Sequence, residues 1–243
     1  MVLKGRDFWN KIASDYHSGR TKSRKYLLDP ALFEVIGNVR GKKVLDIACG
    51  AGDISIKLTQ RGAKCIGLDF SKELIELAKK EAGKLRLDVD YRVMDAKNIG
   101  VLKRKFDLAI VALFFPHLKK FKDIVKAIRN IQKLLKENGR LVVAEPHPAF
   151  DFYMRNRLKS GNFKYFSSGL PYKFQMVICK HPLSSEAYHW TLQDYSRAFF
   201  EGGFIIRRII EPQPSPKSKS IDPKWFKERS KYPSYIIFDC ARR

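Results

Sequence analysis

Residues 42–53, Lys-Lys-Val-Leu-Asp-Ile-Ala-Cys-Gly-Ala-Gly-Asp, decide how the rest of the chain is read. Val44 to Ile47 is a short apolar run of strand type. A glycine turn follows at Gly50 and Gly52, and then an amphipathic helix carrying Ile54, Ile56 and Leu58. Glycines between a strand end and a helix N-terminus let a ligand approach the backbone closely. Open parallel sheets take their ligands at this carboxyl edge. A nicotinamide or flavin dinucleotide is the first candidate, and two residues speak against it. Its fingerprint, counted from Gly50, requires Gly or Ala at position 55, where Ser55 stands. Asp46 precedes the glycines, where a pyrophosphate would be repelled. A ligand with a cationic amino-acid end would accept a carboxylate there.

Outward from the loop, strands and helices alternate. KCIGLDF ends a second strand at Asp69, and Ser71 is a good N-cap for the helix KELIELAKKEA. VDYRVMD ends a third strand at Asp95. In FDLAIVALFF the run from Leu108 onward is continuously apolar, as expected of a strand covered on both faces. The next helix places Phe121, Ile124, Val125, Ile128, Ile131, Leu134 and Leu135 on one side, and Asn138-Gly139 should stop it. GRLVVAEP is a fifth strand. Such alternation implies a parallel sheet with right-handed crossovers. After Glu145 the pattern changes: residues 147–190 hold ten aromatics with no clear period, well above the 12% average of the chain. Thr191 and Asp194 have capping-box spacing and open a helix that ends at Gly202-Gly203. Two strands close the chain, FIIRRII and SYIIFDC, joined by the Pro- and Ser-rich stretch EPQPSPKSKSIDP. The first 40 residues read as mostly helical, with Phe8, Trp9, Ile12 and Tyr16 at helical spacing. The 243 residues fit one large domain.

Composition bounds the partners. The longest apolar run, Leu108 to Pro116, falls far short of the roughly 20 residues a membrane span needs. The opening MVLKGRDFWN has no apolar h-region of a secretory signal. Cys49, Cys65, Cys179 and Cys240 form no CxxC pair and no Cys/His cluster, so neither a metal site nor a disulfide scaffold is expected. A reduced, cytoplasmic protein is the expectation. The net charge of +23 invites a nucleic-acid reading. The charge is spread along the chain with no basic tail or block, however, which suits a lysine-rich solvated surface equally well.

Three acidic strand ends, Asp46, Asp69 and Asp95, together with the glycine loop resemble the class I S-adenosylmethionine-dependent methyltransferases. The family pattern at the loop is acidic-x-Gly-x-Gly-x-Gly, and Ala48 replaces its first glycine here. The resemblance covers nearly the whole chain and is strongest to small-molecule enzymes related to the ubiquinone and menaquinone pathways. FWNKIASDY is similar to their lid helix. ALFFPHLKKF matches the place where relatives often carry Leu-His-His, with Pro116 and His117 at the two histidine positions. EPHP at 145–148 and YHWTLQDYSRAFFEGGFIIRRIIEPQP also match recurring elements. The fold implied is α/β, a Rossmann-like, seven-stranded, mostly parallel sheet with its last strand antiparallel and helices on both faces. One methyltransferase domain would span 1–243, with a helical lid at 1–40 and an aromatic substrate-side insertion at 147–190.

The resemblance also implies roles. Asp46, Ala48, Gly50 and Gly52 would line the methionine side of S-adenosyl-L-methionine. Asp69 would hold the ribose, with Phe70 against adenine, and Asp95 with the Ala96 backbone would read the adenine edge. Methyl transfer from a sulfonium is an in-line displacement, in which the cofactor brings the reactive group and the protein supplies alignment and a dry site. A general base is needed only for a protonated acceptor, and His117, His147, His189 and Tyr16 are the candidates. The expected acceptor is a small molecule methylated at O, N or C. Methylation of RNA or protein over the basic surface is the alternative, though Leu-Phe-Phe-Pro after strand four is not the Asn-Pro-Pro-aromatic signature of base-amine enzymes, and no Pro-Cys follows for cytosine chemistry. A catalytically silent cofactor-binding subunit is the third possibility.

Overall fold

In the computed structural model, which describes residues 5–18, 21–149, 164–176 and 183–243, the apolar strand at 106–112 lies at the centre of a seven-stranded sheet. The strands are β1 (Lys43–Ile47), β2 (Lys64–Asp69), β3 (Asp90–Val93), β4 (Phe106–Ala112), β5 (Leu135–Pro146), β8 (Phe204–Ile210) and β9 (Tyr235–Arg242), in the order β3-β2-β1-β4-β5-β9-β8. The first five run parallel, and β9 is antiparallel to both β5 and β8. The carboxyl ends of β1 to β5 therefore share one edge. The order reverses between β1 and β4, which leaves a crevice there.

Strand parity sorts the core into two layers. Leu45, Ile47, Leu68, Ala109, Val111, Leu141 and Val143 meet α5 (Phe121–Leu134) and α6 (Leu192–Glu201) on one face. Val44, Cys65, Leu108, Ile110, Val142 and Ala144 meet α2 (Asp29–Ile36) and α3 (Asp53–Gln60) on the other. Both predicted caps form: Ser71 Oγ accepts from Leu74 N–H at the start of α4 (Lys72–Lys84), and Thr191 with Asp194 closes a reciprocal capping box.

Three local expectations change. α5 ends at Leu134, before Asn138-Gly139. These two residues fall in a bulge of β5, where the pairing jumps from Phe106↔Leu135 to Leu108↔Arg140. Burial of Leu134 and Leu135 at opposite sides of the junction fixes the helix end earlier than the glycine does. The Pro- and Ser-rich link between the last strands holds two short helices, α7 (Pro216–Ile221) and α8 (Pro223–Arg229), each with proline in its first turn, and Asp222 Oδ1 accepts from Trp225 N–H. The aromatic stretch contains an antiparallel hairpin, β6 (Pro171–Met176) with β7 (Leu183–Tyr188), forming a second sheet. At the start of the chain stand α1 (Gly5–Ser18) and a π-helical turn, Arg24–Leu28, running into α2.

Candidate active site

The loop after β1 is held by carboxylates. Asp46 is 1% exposed, and its Oδ2 accepts from Ser55 N–H at 3.1 Å and Ser55 Oγ–H at 2.5 Å. Its position near the start of α3 suits a negative charge, yet removal from water dominates and raises its pKa from 3.8 to about 7. Ala48 adopts φ 57°, a left-handed conformation that costs a residue with Cβ about 1 kcal/mol. That is the price of alanine at the family's first glycine. Asp69, at the end of β2, accepts from Gly50 N–H at 3.0 Å through Oδ2 and from Ser71 N–H at 2.9 Å through Oδ1. Burial raises its pKa, against the pull of the Ser71, Gly50 and Phe70 backbone donors. Asp95 lies two residues beyond β3 and caps the 3-10 turn Ala96–Val101 through Lys97 N–H at 2.8 Å. Cys49 is pushed well above its usual pKa by burial and by Asp46 and Asp69, so it is an inert thiol.

Loop capping and ligand binding are not exclusive at these acids. Each carboxylate oxygen has two acceptor directions, so the backbone donors of Ser71, Gly50 and Phe70 do not use the full acceptor capacity of Asp69. The donor set fits S-adenosylmethionine by chemistry: acidic acceptors at successive strand ends suit a diol, an exocyclic amine and an ammonium, and would repel a pyrophosphate. Asp46 departs from the simple expectation, since one of its oxygens is committed to Ser55.

α1 lies across this edge. The Arg6 guanidinium stands 5.8 Å over the Phe70 ring. Ala13 packs with Ala51 of the glycine loop and Leu74 of α4. The Trp9 ring meets His117 edge-on, with centroids 5.3 Å apart. His117 ends the 3-10 turn Phe115–His117 after β4, and the Glu186 backbone of β7 bonds to its ring. Loss of water around the imidazole lowers its pKa to about 4, against that bond, so the ring is neutral at pH 7. The turn itself is positioned by Glu145, fully buried at the end of β5, whose Oε1 accepts from Phe114 N–H at 3.1 Å and Phe115 N–H at 2.9 Å.

The other candidates stand apart from His117. His147 Nδ1 accepts from Ala149 N–H at 3.1 Å, and its Nε2 faces Glu211 Oε1 at 3.0 Å, so both ring nitrogens are engaged by the segments that follow β5 and β8. Burial lowers its pKa, while Glu211 opposes the shift. His189 is fully buried, with Nε2 2.7 Å from the Tyr165 carbonyl and its ring edge-on to Tyr165. It ties the hairpin to the preceding turn. Tyr16 belongs to α1, and its side chain lies outside the described residues, as do the aromatics of 150–163. Sequence reasoning missed Trp9 as the partner of His117, and it read Ser55 only as an absent glycine. The helical spacing of Phe8, Trp9 and Ile12 was the available signal for the first. A surface cleft of about 410 Å³ over Phe33, Lys57 and Arg61 opens on the flank of the sheet, away from these strand ends. Among the described residues no cluster of His, Cys, Asp and Glu could hold a metal ion, and no helix is long and apolar enough to cross a membrane.

Comparison with known proteins gives one consistent result. A family model described as a methyltransferase domain matches residues 38–197. A ubiquinone biosynthesis O-methyltransferase from Coxiella burnetii is 28% identical over 151 residues, covering 61% of this chain and 60% of that protein. A demethylmenaquinone methyltransferase from Thermotoga maritima is 35% identical over 144 residues, covering 58% and 57%. The chain thus spans about 60% of the length of the curated relatives it matches. An S-adenosylmethionine-dependent methyltransferase from Mesorhizobium loti superposes with a TM-score of 0.67 at 18% identity, over 92% of this chain and 99% of that one. A magnesium protoporphyrin IX methyltransferase from Synechocystis, solved with S-adenosylmethionine bound, gives 0.60 at 18% identity over 98% and 95%. The chain belongs to the methyltransferase domain family, and its fold is that of the S-adenosylmethionine-dependent methyltransferases.

Proposed function

We propose that the protein transfers the methyl group of S-adenosylmethionine to a small, quinone-related molecule. The observation that carries this reading is the path of α1, which touches Phe70 and Ala51 on the loop side and His117 on the far side of the same strand edge. One helix thereby covers both halves of the edge, which suits an enclosed acceptor of modest size. The names of the two relatives supply the quinone class.

In this reading Asp69 holds the ribose hydroxyls, Phe70 lies against the adenine, and Asp95 with Ala96 takes the adenine edge. Gly50 and Ala48 line the methionine side, with Asp46 acting through Ser55. The cofactor supplies an electrophilic methyl on sulfur. The chain supplies partial enclosure, since Trp9 and β7 cover part of the ring of His117. Neutral His117 accepts a hydrogen bond from an acceptor hydroxyl and orients it. With a pKa near 4 it is a weak base, suited to an acceptor that is already acidic. His147 and His189 are structural in this scheme.

A second reading, action on RNA, gains one observation from the fold. Lys122, Lys126, Arg129, Lys133 and Lys136 recur at steps of four and three residues, and all are exposed on the outer side of α5 and just beyond it. The charge is less even in space than along the chain. Calorimetry with S-adenosylhomocysteine and with NAD tests the cofactor assignment: the first should bind and the second should not. Binding of NAD, or of neither, refutes it.

A further inference from the structure

The register of the sheet places Asp46 of β1 beside Gly67 of β2, and Gly67 beside Tyr91 of β3. These three residues form one row across the strands, with side chains on one face. Gly67 has no side chain, so the buried ring of Tyr91 lies over it: a Cβ built at Gly67 would sit 2.6 Å from Tyr91 Cδ1 and Cε1. The ring continues to the glycine loop. Its hydroxyl donates to the Gly52 carbonyl at 3.3 Å, and a Cβ at Gly52 would lie 2.2 Å from the same oxygen. Gly52 has φ 83°, so both its backbone conformation and its contact with Tyr91 demand glycine. Ser55, whose hydroxyl donates to Asp46, lies beside the same Tyr91 hydroxyl. The second glycine of the loop motif thus faces a tyrosine, where the sequence alone suggested a ligand.

We infer that Tyr91 is a positioning residue for the cofactor loop, acting across Gly67 on the Gly52 carbonyl and on the Ser55–Asp46 pair. The inference rests on the S-adenosylmethionine reading above. Tyr91 does not touch the ligand in this account. It fixes the distance between the loop and β3, so that Gly50 N–H meets Asp69 and the loop backbone keeps the shape the methionine end requires. Its burial among Ile75, Ala78 and Ala82 of α4 makes the ring a rigid prop. The hydroxyl remains protonated because burial and the neighbouring acids Asp46 and Cys49 disfavour the phenolate.

Tyr91→Phe keeps the ring and removes only the hydroxyl. Titration of the purified full chain with S-adenosylhomocysteine should show affinity about three- to tenfold weaker than wild type, the range of one lost buried hydrogen bond. Ser55→Ala should weaken binding too, and the double variant should lose less than the product of the two single effects, because both residues hold the same glycine loop from neighbouring positions. Gly67→Ala, which forces the ring aside, should lower affinity without any residue near the ligand having changed. Wild-type affinity in Tyr91→Phe, or strictly multiplicative losses in the double variant, would overturn the inference and leave the cofactor reading standing. Failure of the wild type itself to bind the probe would remove both.

Discussion

The two halves of the strand edge are built differently. On the β1–β3 side each acid is fixed by backbone donors at short range: Asp69 by Gly50 and Ser71, Asp95 by Lys97, and Asp46 by Ser55. On the β4–β7 side the contacts are between rings and between distant segments: Trp9 with His117, Tyr165 with His189, and β7 against the turn after β4. Acids held by backbone donors make an edge of fixed geometry, which the proposed cofactor site requires. Ring packing between segments far apart in sequence forms a wall whose shape is set by side chains and can be altered without touching the sheet. The contrast also has an electrostatic signature, because Asp46 and His117 are shifted by burial in ways that oppose each other with pH.

Removing the cover should produce the largest effect and separate the halves most sharply. Deletion of residues 1–20 takes away Trp9 and Ala13. Methyl transfer should fall by at least about 100-fold, as expected when the reacting groups lose their alignment. The circular dichroism spectrum should keep its sheet signal. A truncated protein with full turnover would mean that α1 covers nothing that matters. On the loop side, Asp69→Ala should weaken S-adenosylhomocysteine binding by about 1–3 kcal/mol through loss of charge-assisted bonds. Calorimetry at wild-type affinity would break the assignment of Asp69.

Smaller effects should appear in stability against pH, and their signs should differ between the halves. Asp46 gives up its proton near 3.8 in the unfolded chain and near 7 in the folded one. Ionisation therefore disfavours folding, and its contribution to stability falls as pH rises from about 4 to about 7. Asp46→Asn should remove that decline in denaturant titrations. His117 behaves oppositely: the unfolded ring binds a proton near 6.5 and the folded ring only near 4. Its contribution is present above about 6.5 and is lost as pH falls toward 4, so His117→Gln should flatten the acid limb. Identical pH profiles for the two variants would show that the halves do not differ in this way.

The same difference explains what could be read before the fold was known. The glycine loop, Asp69 and the N-cap at Ser71 were legible because each stands at a strand end marked by its own neighbours in sequence, although the Gly50–Asp69 bond that joins them spans nineteen residues. The covering of strand four on both faces followed from its apolar run, and the inward side of the next helix from its period. His117, His147 and His189 were all candidates in sequence, the first two because they follow strands four and five. Their contacts distinguish them, mostly at long range: Glu211 with the local Ala149 N–H occupies the nitrogens of His147, and the Tyr165 carbonyl holds His189. The hairpin β6–β7 was hidden because β7, LSSEAY, has no clean alternation, and the alternation of β6 over Tyr172, Phe174 and Met176 stands alone in an aromatic-rich stretch. Tyr91 was hidden for a different reason: its significance lies in the parity it shares with Gly67, which requires the register.

The smallest expected effect is that of salt. A small acceptor enclosed beneath α1 is poorly screened by ions, so turnover should change by no more than about twofold between 50 and 200 mM salt. Non-specific polyanion binding by the basic surface should instead drop by about 10³-fold if six or more phosphates are engaged. Transfer of radiolabelled methyl from S-adenosylmethionine, offered a small-metabolite extract rich in quinone-related phenols and, in parallel, total RNA at near-physiological salt, tests the central claim most directly. The account predicts label in the small-molecule fraction and none above background in RNA. Robust, site-specific label in RNA, with none in the extract, would contradict it.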